Sequence, residues 1–142
     1  MVTQVVMVNG QVGLAEAVRQ GIEVLNRGGL VVFPTETVYG VAGRADKIET
    51  IVRLRQVKGR SNEKALTVHL GTKEDAGKYV HGIPGVAQRL IRKGWPGPLT
   101  LVLAVEDAGT TEVGAGLSAE CREAIFYSGT VGLRCPDDPI AE

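Results

Sequence analysis

Apolar residues recur along this chain in two patterns, and each predicts a different element. Leu14, Val18, Ile22 and Leu25 follow one another at helical spacing, and Gly28-Gly29 closes that helix as a C-terminal cap would. Ile48, Ile51 and Val52 predict a second helix running toward Lys58-Gly59. Residues 73–80 and 84–93 read as helical, the latter with Pro84 in its first turn and Gly94 just past its end. Short continuous apolar runs predict strands at Val5–Val8, Leu30–Phe33, Leu66–Leu70, Leu99–Val105 and Val131–Leu133. Leu30–Phe33 has no polar alternation, so it reads as a buried strand, and Pro34 breaks it. Helices and strands mixed in this order predict an α/β or α+β fold.

The chain has 142 residues, one domain's length, and no internal repeat or low-complexity linker divides it. A chain of this size buries about two-thirds of its unfolded surface, so neither disulfides nor a metal is needed to hold it together. Nineteen glycines and only 4% aromatic residues imply an aliphatic core with many turns. Cys121 and Cys135 fit no metal-binding spacing and are expected to be reduced, structural thiols. No apolar run reaches the ~20 residues of a membrane span. The N-terminus lacks the basic start and apolar stretch of a signal peptide, and the expected location is cytoplasmic.

The net charge is zero, which excludes a globally basic nucleic-acid coat. That balance conceals an asymmetry. Residues 1–71 carry 9 basic and 6 acidic side chains, whereas residues 72–142 carry 7 and 10. Arg53, Arg55, Lys58, Arg60 and Lys64 stand close together against Glu63 alone.

Four segments could carry chemistry. Pro34–Gly40 follows a predicted strand and offers two Thr hydroxyls, a carboxylate and a Tyr hydroxyl. It reads either as a ligand-facing loop beyond a strand end or as a helix start capped by Thr. Lys58–Lys64 offers cations on a glycine-loosened loop, suited to a polyphosphate or simply solvated. It is not a Walker loop, because no GxxxxGK[ST] occurs. Trp95–Thr100 is a proline-stiffened turn that could shape a pocket, with Trp95 packed there. In Gly132–Pro139, Arg134 leaves an apolar strand at a position suited to an anion. Cys135 has only His69 and His81 as possible bases and nothing that pairs them with it, so a thiol nucleophile is not expected.

Together, PTETVYGVAG, KGRSNEKALTVHL, WPGPLTLVL and VGLRCPDDP, in this order, closely resemble the YrdC/Sua5 family of threonylcarbamoyl-adenylate synthases. The likeness runs from about Leu14 to Pro139. It implies a twisted, mixed β-sheet with flanking helices around a basic concave cavity. It also implies a reaction in which L-threonine and bicarbonate form a carbamate that attacks the α-phosphate of ATP, with Mg²⁺. Pyrophosphate leaves, and partner proteins pass the threonylcarbamoyl group to tRNA. The family is further described as binding double-stranded RNA or tRNA, and no membrane is implied.

Carried onto this chain, the resemblance places Thr35, Thr37 and His69 on the threonine side, with Thr37 contacting the amino acid. It places Lys58, Arg60, Lys64, Thr100 and Arg134 on the ATP and phosphate side. It singles out no catalytic acid or base and no metal ligand. Ala65-Leu66 stands where the family usually has Pro-Leu. The chain ends at Glu142, before the family's Ser-x-Ala-Asn-x-Ser-Gly segment, so the expectation is a single domain over 1–142 shortened at its C-terminus. The alternative function is a non-catalytic module binding RNA or a nucleotide. A third is a relative that adenylates another carbamate.

Overall fold

A computed structural model describes residues 3–59 and 65–141, and its architecture is built around one sealed strand. In chain order the elements are α1 (Gly10–Asn26), β1 (Val31–Phe33), β2 (Gly40–Ala42), α2 (Ile48–Val57) and β3 (Thr67–His69). They continue with α3 (Gly85–Gly94), β4 (Leu101–Ala104), α4 (Glu112–Gly116), α5 (Ala119–Ile125) and β5 (Thr130–Arg134). Short 3₁₀ turns lie at Lys73–Lys78, Ala108–Thr110 and Tyr127–Gly129.

β5 is the middle of a three-stranded mixed sheet in the order β3-β5-β4. It runs parallel to β3, pairing Thr67 with Gly132, Val68 with Leu133 and His69 with Arg134. It runs antiparallel to β4, pairing Leu101 with Leu133 and Leu103 with Val131. Side chains alternate across the sheet. Leu101, Leu103, Val131 and Leu133 therefore fill one face, where they join Ile51, Ile91, Trp95, Cys121 and Ile125 in the core. Thr67, His69, Val102 and Ala104 are exposed on the other face. Both cysteines are buried and neither is in a disulfide.

α1 ends where the glycines predict. Gly28 takes a left-handed φ of 78°, and the Gly28 and Gly29 N–H groups return to the Leu25 and Val24 carbonyls at 2.9 and 2.8 Å. The Lys47 ammonium donates to the Asn26 carbonyl at 3.0 Å, placing a cation at the negative end of the helix. Trp95 is buried, and its indole N–H donates to the Leu99 carbonyl at 2.6 Å. Gly97 N–H donates to the Cys135 carbonyl at 2.8 Å, so the proline-rich turn is tied to the exit of β5.

Several expectations are corrected. Val5–Val8 is not a strand, and Val5 and Met7 are exposed, because no strand edge reaches them among the described residues. Leu30–Phe33 is not a strand buried on both faces: Val32 is exposed, and Val31–Phe33 pairs only with β2 in a separate antiparallel hairpin. Pro34–Tyr39 is accordingly the hairpin's connection, not a helix start. Ile22 is exposed, since the helix turns Gly21, Val24 and Leu25 toward the protein instead. Residues 73–78 form a 3₁₀ helix, closed by a capping box between Thr72 and Asp75. Leu99–Val105 shortens to Leu101–Ala104, and α4 and α5 were not foreseen.

Replacing Leu133, whose side chain is fully buried, by Ala should cost about 3 kcal/mol of unfolding free energy. The exposed-face change Val102→Thr should stay within about 0.5 kcal/mol. Urea denaturation of both variants measures the difference.

Candidate functional site

The register of β3 on β5 decides where the site forms. Both strands run the same way, so their carboxyl ends coincide and set His69 beside Arg134. Ligands of α/β sheets gather beyond such ends. Thr100 immediately precedes β4, at this same end of the sheet, and is exposed.

The β1–β2 hairpin closes over this end. The Phe33 ring meets the His69 ring edge-on, with centroids 5.5 Å apart and planes at 89°. Gly40 lets the ring lie close, because a Cβ there would stand 3.0 Å from the Phe33 ring and push it aside. The connection between the hairpin strands is held by its own hydroxyls. Thr35 Oγ1 donates to the Val38 carbonyl at 2.6 Å and accepts from the Thr37 and Val38 N–H groups, each at 3.3 Å. Such a side-chain turn substitutes for backbone hydrogen bonds.

Across the gap, Arg134 Nη2 donates to Glu36 Oε1 and, at 3.0 Å, to Thr37 Oγ1. Glu36 Oε2 accepts the Asp137 N–H at 3.1 Å. The Arg134 and Glu36 side chains are only 14% and 19% exposed, so this pair is poorly screened. Thr37 Oγ1 lies 3.1 Å from Thr35 Oγ1. Thr35 gives its proton to Val38 and its two lone pairs to the Thr37 and Val38 N–H groups, so the Thr37 hydroxyl, which accepts from Arg134, keeps its own proton and one lone pair.

Electrostatics follow from this clustering. Desolvation pushes the Glu36 carboxyl up, but the Arg134 hydrogen bond and the N–H groups of Glu36 and Asp137 outweigh it, leaving its pKa below the usual carboxylate value. His69 keeps solvent contact, yet desolvation by the surrounding protein lowers its pKa below 6.5. The Arg134 guanidinium and, further off, Lys58 push it the same way, against an opposing pull from Glu36. His69 is therefore neutral at pH 7.

The structure thus brings Thr35, Thr37, His69 and Arg134 together, with Lys58 near enough to act on His69 from the end of α2. Arg60 and Lys64, on which the expected basic lining depends, lie outside the described residues. An open hollow of about 400 Å³ extends from His69 toward Asp75, Lys78 and Glu112. Among the described residues, no group of three or more His, Cys, Asp or Glu side chains gathers as a metal site would. Among the described residues, no helix is long and apolar enough to cross a membrane.

Sequence reasoning counted the Glu36 carboxylate as chemistry but gave it no role, and it missed Phe33 and Asp137. The adjacency of Glu36 to two Thr residues was a signal. Its partner, 98 residues away, was not readable from spacing.

The profile of a family grouping Sua5, YciO and YrdC proteins, described as "Telomere recombination", matches residues 23–142. The chain is 33% identical over 125 residues to the threonylcarbamoyl-AMP synthase of Bacillus subtilis, covering 87% of this chain and 33% of that protein. It is 34% identical to the Bos taurus protein of the same name, covering 88% of this chain and 41% of the other. Among solved structures, Pyrococcus abyssi Sua5 complexed with L-threonine superposes with a TM-score of 0.72 at 31% identity. That match covers 87% of this chain and 33% of the Sua5 chain. Escherichia coli YciO, at 21% identity and a TM-score of 0.71, shares the fold, covering 89% of this chain and 56% of its own. The chain thus spans between about a third and three-fifths of the length of these proteins.

The folded state favours neutral His69 and ionised Glu36. Their contribution to stability should be complete above about pH 6.5 and decline as pH falls through each folded pKa. An NMR titration should find the His69 midpoint below 6.5, and Arg134→Gln should raise it by removing the guanidinium.

Proposed function

The chain belongs to the Sua5, YciO and YrdC family, and from that membership we propose that it forms threonylcarbamoyl-AMP from L-threonine, bicarbonate and ATP, supplying a threonylcarbamoyl group for tRNA modification. The observation that carries this reading is the Thr37 hydroxyl. It is fixed between Arg134 and Thr35 beside neutral His69, in a chain similar to a Sua5 structure complexed with L-threonine.

The chemistry asks two things of such a site. Threonine's amine must first attack the bicarbonate carbon; a C–O bond breaks, its oxygen leaves as water with an amine proton, and the carbamate remains. A carbamate oxygen then attacks the α-phosphorus of ATP, the bond to the bridging oxygen breaks, and pyrophosphate carries away the electron pair. Both reactants are anions, so positioning and cationic stabilisation dominate the barrier. Thr37 keeps one oxygen lone pair for a donor such as the amine. His69, being neutral, keeps one ring nitrogen able to accept. Thr35 shapes the threonine side by holding the loop. On the phosphate side we place Lys58, Arg60 and Lys64, with Thr100 and Arg134 as walls. Mg²⁺ would arrive on the ATP phosphates.

Arg134 meets its counter-charge within the protein. Its charge is already opposed by Glu36, so its use to an anion is a directed hydrogen bond more than an uncompensated charge.

Incubation with L-threonine, bicarbonate, ATP and Mg²⁺ should release pyrophosphate and yield the adenylate. Thr37→Val should lower kcat/KM for threonine roughly tenfold, as expected for one lost hydrogen bond to a charged group. Lys58→Ala and Arg60→Ala should weaken ATP and spare threonine. If the chain retains RNA in a steeply salt-dependent manner yet makes no adenylate, the binding-module reading replaces this one.

A further inference from the structure

The two oxygens of Glu36 serve different parts of the chain. Oε1 accepts from Arg134, and Oε2 accepts from the Asp137 backbone, just past the end of β5. One carboxylate therefore fastens the hairpin loop to both the side chain and the main chain of the strand exit. Arg134 Nη2 carries two protons, and both are spent, one on Glu36 and one on Thr37. Arg134 Nε is buried and has no partner among the described residues. Among the described residues Nη1 has no hydrogen-bond partner and is left to offer an incoming anion. Thr37, accepting from Arg134, has one lone pair left to offer an incoming donor.

We propose that Glu36 is the positioning residue of this site. By clamping Arg134 Nη2 and the Asp137 N–H, it aims Thr37 Oγ1 as an acceptor for the donor end of the amino-acid substrate and Arg134 Nη1 at an anionic end. The proposal rests on the function proposed above. It assigns to Glu36 a contribution to substrate recognition without contact to the substrate. A carboxylate at this position that served only stability would leave ligand affinity unchanged in a variant that stays folded.

Two variants test it, each in the full chain, with L-threonine and ATP–Mg²⁺ used separately as calorimetric probes. Glu36→Gln keeps the size of the side chain and an oxygen for Asp137 but removes the charge that holds Arg134. Arg134→Lys keeps the positive charge but loses the reach of the guanidinium and the second terminal nitrogen, so it cannot hold Glu36 while offering Nη1. Each should weaken L-threonine about tenfold, the scale of one charge-assisted hydrogen bond, and Glu36→Gln should change ATP–Mg²⁺ less than about twofold. Wild-type threonine affinity in a folded Glu36→Gln protein overturns the proposal. If that variant does not fold, Arg134→Lys decides by the same criterion.

A ligand-free readout separates this proposal from the function itself. NMR relaxation of the Arg134 side chain should show it loosened in Glu36→Gln, and the His69 midpoint should fall, because Glu36 is the neighbour that raises it. If the wild-type chain binds no threonine, the functional reading fails. The clamp then stands or falls on whether Arg134 loosens.

Discussion

The sealing of β5 from water is the constraint on which the rest of this structure depends. Val131 and Leu133 are fully buried, and strand geometry turns the next side chain to the opposite face. Arg134 therefore emerges on the open side of the sheet at the moment the strand ends. The parallel pairing with β3 is fixed by the same burial, since a slip of one residue would turn Leu133 outward. Hydrophobic packing thus places a guanidinium beside an imidazole, although neither polar group contributes to the core.

Charge compensation then shapes what that pair can do. An isolated guanidinium at this depth would be costly, and Glu36 from the hairpin offsets it. The result is a nearly neutral cluster with fixed hydrogen-bond directions, while desolvation, helped by Arg134, holds the His69 pKa down. In sequence, Lys58–Lys64 differs in kind, with three cations against one carboxylate. One region has directional donors and acceptors, while the other carries net positive charge. A reaction joining an amino-acid carbamate to a triphosphate calls for both.

Much of this was legible in the sequence, for reasons that differ by element. α1, α2 and α3 follow from apolar spacing and from glycine and proline punctuation. β5 and β3 follow from apolar runs. The hairpin was missed because β1 and β2 are three residues each, too short for a period, and because Val32 contributes to an apolar run yet faces outward. The same shortcoming made Val5–Val8 look like a strand, since composition alone cannot say whether an edge is available for pairing. The candidate residues Thr35, Thr37, His69 and Arg134 were found through motif resemblance. Their proton directions, and the part played by Glu36, exist only once the hairpin has closed on the sheet.

That closure has a kinetic side. Glu36 and Arg134 are 98 residues apart, whereas the turns and caps that build α1 and the Thr35 loop span five residues or fewer. Loop-closure entropy makes such a distant contact costly until the intervening chain is already ordered. The hairpin and the sheet are expected to form before the carboxylate finds its guanidinium. Recognition geometry would then be the last feature to mature, and a partly folded chain could hold its secondary structure while remaining blind to its ligand.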